Sequence, residues 1–182
     1  MLATIDADAG EIDVSAATSE TLQARFSRLL AADHAALRRL AASYATVPSD
    51  RDDLLQEIAI ALWRALPSFR GECSERTFLF RIAHNRCVTH LSKRRATVSL
   101  DDAGAEPEDP ISPSEATVSD DQQRDRLLEA IRGLPLIHRE VIGLYLEGMD
   151  YKEIAAVIGI SESNVGVRLN RAREQLRSLL ED

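Results

Sequence analysis

The chain has 182 residues, 45% hydrophobic and 29% charged, with a formal net charge of −8 and two cysteines. That length holds one large or two small domains with a buried core, and two cysteines cannot build a disulfide framework in a protein of this size, which fits a reducing compartment. Aromatic residues are only 4%, strand-type alternation is lacking and no run approaches the ~18 apolar residues of a membrane span, so an all-α, cytoplasmic protein without membrane insertion is expected.

Residues 1–20 carry five acids and no Lys or Arg. Low hydrophobicity and like charge cannot offset ordering entropy, so this reads as a disordered acidic tail, and the segment MLATIDADAGEID lacks the basic-then-apolar order of a secretory signal. From Thr21 to Thr46, Leu22, Phe26, Leu29, Leu30, Leu37, Leu40 and Ala41 keep approximate helical spacing, giving one or two helices. Ser49 or Asp50 can cap the next helix, which runs to Leu66 before Pro67. The loop PSFRGEC then leads to a helix from about Glu75 to Arg95. Residues 21–97 are therefore expected to form a bundle of three or four helices.

Residues 98–122 hold Pro107, Pro110 and Pro113, many acids and few large apolar groups, the composition of an extended acidic linker. After it, Leu127, Leu128, Ile131 and Leu134 mark a helix ending at Pro135, and Val141, Ile142, Tyr145 and Leu146 mark another closed by Gly148. Residues 123–182 are read as a second small helical domain with a helix-turn-helix. The negative total charge hides a segregation: residues 1–20 and 98–121 account for −13, leaving +5 elsewhere, and residues 64–97 hold eight basic side chains against two acids. Such a block suits a phosphate backbone.

The sharpest motif is DYKEIAAVIGISESNVGVRLNRAREQL. Asp150 and Glu153 stand in capping positions, Ser161 can cap a second helix, Ala155 is small enough for close approach, Gly159 supplies a left-handed turn, and Val165 packs the second helix back. The outward face then carries Glu162, Ser163, Asn164, Arg168 and Arg171, placed to meet base edges and phosphates. A helical hairpin with a solvated charged face is the plainer alternative.

On the helix Asp52 to Leu66, Leu54, Leu55, Ile58, Ala61, Leu62 and Ala65 make a core arc. The opposite arc mixes Asp53, Gln56 and Glu57 with Ile60 and Trp63, as expected where another protein docks; Trp63 fits a boundary core position equally. On the helix from Glu75, Leu79, Phe80, Ala83, Cys87, Val88 and Leu91 form the apolar arc. Phe78, Arg81, Ile82, Asn85, Arg86, Thr89 and Lys93 form the other, extended by Phe69 and Arg70 in the preceding loop. Cations beside aromatic rings suit single-stranded DNA, and a basic solvated face is the bland alternative. His84, Cys87 and His90, with Cys73 nearby, raise a metal site, but successive three-residue steps drift around the helix toward its buried side, which favours core packing. No phosphate loop, nucleophile elbow or paired carboxylates in a pocket are present, so no enzymatic reaction, metal or cofactor is expected.

At these residues the chain resembles the extracytoplasmic-function sigma factors of the sigma-70 family. Two blocks carry the resemblance, DDLLQEIAIALWRALPSFRGECSERTFLFRIAHNRCVTHL and LPLIHREVIGLYLEGMDYKEIAAVIGISESNVGVRLNRAREQLR. It implies that Asp53, Gln56, Glu57 and Ile60 meet the clamp helices of the largest subunit of core RNA polymerase. Phe69, Arg70, Phe78, Arg81, Asn85, Arg86 and Lys93 would hold the opened minus-ten element of promoter DNA, and Glu162, Ser163, Asn164, Arg168 and Arg171 would read the minus-thirty-five duplex. The acidic linker would thread the polymerase cleft, the free chain would be a monomer, and an anti-sigma factor would mask its surfaces. The chain departs from the family pattern at Phe78, where Trp is common, at His84 for Arg, at Thr89 for Asp, and at Gly166–Val167 for Lys–Ser. Two readings of other kinds remain: a stand-alone regulator using only the helix-turn-helix, and an adaptor without productive DNA contacts.

Overall fold

The computed structural model describes residues 20–98 and 118–181. Within them the chain is all helix, in two clusters. The first holds α1 (Leu22–Ala42), α2 (Pro48–Ala65), a single 3-10 turn at Leu66–Ser68, and α3 (Glu75–Val98); the second holds α4 (Val118–Gly133), α5 (Leu136–Leu146), α6 (Tyr151–Ile158) and α7 (Glu162–Glu181). The expected acidic tail and most of the expected linker lie outside the described residues. The last part of the segment expected to be linker is the first turn of α4.

The stretch from Thr21 makes one helix, with the Thr21 hydroxyl accepting from the Ala24 N–H at 3.1 Å. The start of α2 differs from expectation. Val47 is its N-cap and Pro48 its first helical residue, because proline's fixed φ and missing N–H suit that position. Asp50, expected as a cap, instead meets Arg94 of α3 at 3.1 Å. Leu54, Ile58, Leu62 and Leu66 are fully buried against Leu37, Leu40, Leu79, Phe80 and Ala83, so the apolar arcs predicted for α2 and α3 do form the first core. Burying such side chains contributes about 1.5–3 kcal/mol each.

In the second cluster, Val141, Ile142 and Leu144 are buried, while Tyr145 and Leu146, which helped to mark this helix in the sequence, stand 37% and 48% exposed. Val165, Leu169 and Ala172 of α7 seal this core. The two clusters are not apart: α3 packs on α6, and one continuous set of buried residues runs from Leu29 to Ala172. Gly143 of α5 faces α1, where a Cβ would stand in ordinary contact at 3.5 Å from Leu40 Cδ1.

Candidate polymerase and nucleic-acid interfaces

The helix-turn-helix forms as the motif requires. Asp150 Oδ1 accepts from the Glu153 N–H at 2.8 Å, and Glu153 Oε2 accepts from the Asp150 N–H at 3.0 Å, a reciprocal cap that satisfies two orphan donors. Gly159 ends α6 at φ 82°, ψ 37°, a left-handed conformation that side chains resist. Ser161 Oγ accepts from the Asn164 N–H at 3.3 Å, and the fully buried Val165 ties α7 down. With Val165, Leu169 and Ala172 inward, the face bearing Glu162, Ser163, Asn164 and Arg171 is exposed, with Arg168 half-buried at its edge. Gly166 lies close to the Tyr151 ring, where a Cβ would stand 3.5 Å from Cε2, and Val167 is 51% exposed. Beside this face, Tyr145 meets Tyr151 edge-on at 6.5 Å and Arg173 lies 4.6 Å over the Tyr145 ring. In the sequence Tyr145 only helped to mark a helix and gave no sign of this patch.

On α2, Asp53, Gln56 and Ile60 are exposed and Glu57 is half-buried, all on the face away from the core. Ile60 is 52% exposed and Trp63 43%, and the Trp63 ring meets Phe26 of α1 edge-on at 5.1 Å. Trp63 thus packs at the core boundary and still presents apolar surface beside Ile60.

The loop before α3 turns at Gly71, φ 76°, and brings Phe69 against Phe78 with ring centroids 4.8 Å apart. Phe69, Arg70, Phe78 and Arg81, expected to share a surface, line one cavity of about 250 Å³ together with Ser68, Glu72 and Cys73. Arg25 of α1, which the sequence did not single out, lies 4.9 Å over the Phe69 ring and contacts Glu75 at 2.5 Å. Burial pushes the Glu75 carboxyl up, and hydrogen bonds from Arg28 and Arg25 more than reverse this, so it titrates below the usual carboxylate range. Asn85, Arg86 and Lys93 continue along α3, exposed. Arg81 does not point freely outward: its Nε donates to the Ala156 carbonyl of α6 at 3.1 Å.

The His84, Cys87, His90 stripe turns inward. His84 Nε2 stands 3.3 Å from Glu140 of α5, and Cys87 is wholly buried, which pushes its thiol well above the ordinary value. Among the described residues no group of three or more His, Cys, Asp or Glu is placed to hold a metal ion, and no helix is long and apolar enough to cross a membrane.

A capped helix-turn-helix with an open recognition face, beside a basic helix that pairs arginines with aromatic rings, defines a two-module DNA-binding protein. Residues 29–97 match the family model for sigma-70 region 2, and residues 124–176 that for sigma-70 region 4. The chain is similar to the RNA polymerase sigma factor CnrH of Cupriavidus metallidurans, 33% identical over 96% of this chain and 95% of that protein. It also resembles the structure of CnrH in complex with the cytosolic domain of CnrY, with a TM-score of 0.66 and 31% identity over 87% of this chain and 89% of that one. The structure of the sigma factor RpoE with the anti-sigma factor NepR from Bartonella quintana gives 0.73 and 27% identity over 86% and 97%. The chain belongs to the sigma-70 family and is a sigma factor of the extracytoplasmic-function class. It accordingly serves as a noncatalytic subunit that binds core RNA polymerase and directs promoter recognition.

Proposed function

We propose a division of labour within this sigma factor. Residues 21–97 hold core polymerase and the minus-ten element, residues 98–122 are the acidic connection, and residues 123–182 read the minus-thirty-five element. Asp53, Gln56, Glu57 and Ile60 meet the polymerase clamp helices. Phe69, Arg70 and Phe78, with Arg81, Asn85, Arg86 and Lys93 along α3, hold the opened strand, cations on phosphates and rings against unstacked bases. Glu162, Ser163, Asn164, Arg168 and Arg171 enter the major groove of the duplex. The acids of residues 98–122 occupy a cleft built for nucleic acid. The chain acts in the cytoplasm, is a monomer when free, and is restrained by an anti-sigma protein, as RpoE is found with NepR.

The observation that carries this reading is the shared cavity of Phe69, Arg70, Phe78 and Arg81 on the module that also exposes Ile60 and Trp63. One module then offers both a strand-holding surface and a protein-docking surface, which a stand-alone duplex binder has no use for. Photo-crosslinkers placed at Gln56, Asn85 and Asn164 test it in a reconstituted promoter complex. The expected products are polymerase at Gln56, single-stranded DNA at Asn85 and upstream duplex at Asn164; duplex at all three, without polymerase, would support the stand-alone regulator.

A further inference from the structure

The outward face of α7 carries a side chain that neither packing nor charge explains. Between Glu162 and Ala172 the apolar residues Val165, Leu169 and Ala172 are fully buried, whereas Val167 is 51% exposed. At about 100° per residue, Val167 lies on the side of the helix opposite that buried line, in the middle of the open face. Ser163 and Asn164 stand one turn before it and Asn170 and Arg171 one turn after, all of them exposed and neighbours of Val167 at helical spacing. Those four side chains can form hydrogen bonds; Val167 cannot. A β-branched residue does not favour the helix either, since Ala, Arg or Lys would support it better. The flank of Val167 is also kept clear. Gly166 weakens the helix, yet a Cβ there would stand in ordinary contact at 3.5 Å from Tyr151 Cε2, so packing within the domain does not demand a glycine. What glycine provides is a low stretch of backbone that a ligand can approach closely.

Among the donors and acceptors of the major groove there is one apolar group, the C5-methyl of thymine, and small apolar side chains are what meet it. We propose that Val167 is a specificity-determining residue that seats the C5-methyl group of a thymine in the upstream duplex, with Gly166 letting the base edge come close beside it. The preference works in both directions. Thymine buries its methyl against the valine methyls, while cytosine, adenine or guanine would set a polar edge against a side chain that strips its water and returns no hydrogen bond. Ser163, Asn164 and Arg171 surround this contact with hydrogen bonds to neighbouring base edges and phosphates. The inference rests on the reading of α7 as the helix that enters the duplex.

The test uses core polymerase carrying the full-length chain and promoter duplexes, first selected from a library randomised across the minus-thirty-five element. The selected element should contain a thymine whose replacement by uracil, which removes the methyl and leaves every hydrogen-bonding group in place, weakens binding about fourfold, the effect of one buried methyl group. At that same position 5-methylcytosine should bind about fourfold more tightly than cytosine, for the same reason. These changes are made in the DNA and leave the protein's folding untouched. With Val167→Ala, which favours the helix, thymine and uracil should bind alike; Val167→Thr, which keeps one methyl, should retain part of the discrimination. Equal binding of thymine and uracil by the wild type would overturn the proposal, as would a discrimination that Val167→Ala leaves unchanged. Weakened assembly of Val167→Ala with core polymerase would show that protein covers this valine, and would overturn it too. Ser163→Ala and Asn164→Ala separate the two levels of the argument. If they alter base preference and Val167→Ala does not, the thymine contact alone is wrong; if none of the three alters it at any position, the reading of α7 falls with it.

Discussion

Replacing Phe78 separates a packing role from a base-holding one. Its ring is half-buried and lies 4.8 Å from Phe69, in a cavity also lined by Arg70 and Arg81. Truncating a fully buried Phe to Ala costs about 3–5 kcal/mol, so at this half-buried site Phe78→Ala should cost about 2 kcal/mol of stability. Phe78→Leu keeps most of the volume and should cost less than about 1.5 kcal/mol. Both lose the aromatic face, and base stacking on such a ring contributes about 1–3 kcal/mol, a factor of about 5 to 150 in strand affinity. The assay is promoter opening by holoenzyme, followed by 2-aminopurine fluorescence in the minus-ten strand, with urea unfolding of the free protein alongside. Phe78→Leu should open promoters poorly while remaining nearly as stable as wild type. If it opens them as well as wild type, the ring is a packing residue and no base rests on it.

Removing the cap with Asp150→Ala should cost about 1 kcal/mol, since the reciprocal cap at α6 is lost, and lower the melting temperature by about 2–4 °C; an unchanged melt would contradict it. Arg171→Ala should reduce the slope of log affinity against log salt for upstream duplex by about 1, uniformly across sequences; an unaltered slope would place Arg171 away from phosphate. Ile60→Glu, at a residue 52% exposed, should leave stability within about 0.5 kcal/mol and weaken core-polymerase binding at least tenfold, as for a buried contact residue. For Glu75, whose carboxyl is held low by Arg28 and Arg25, the stabilising contribution is present above the ordinary carboxylate range and lost as pH falls through its lowered value. Glu75→Gln should therefore flatten the acid limb of a stability-versus-pH curve, and an identical limb would refute the ion-pair assignment.

Local structure was legible wherever a residue's own backbone chemistry dictated it. Gly148 and Gly159, predicted as helix terminators, both take positive φ, and the Asp150–Glu153 and Ser161 caps form because their partners lie three residues away. The start of α2 was misjudged because Ser49 and Asp50 have good capping chemistry, yet Pro48 takes the first helical position and shifts the cap to Val47. The contact between the clusters was not legible at all. Arg76, Arg81 and Arg132 look like solvated or phosphate-binding cations, and their partners are backbone carbonyls of Glu147, Ala156 and Ala42, which no side-chain pattern marks. His84 similarly read as packing alone, while the structure sets it beside Glu140 of the other cluster.

The most direct measurement is transcription by purified core RNA polymerase on a promoter library, with and without this protein, mapping the first nucleotide of each transcript. The account predicts new start sites that appear only with the protein and share sequence elements centred near minus ten and minus thirty-five. A chain that leaves the start sites of core polymerase unchanged and forms no complex with it would contradict the account.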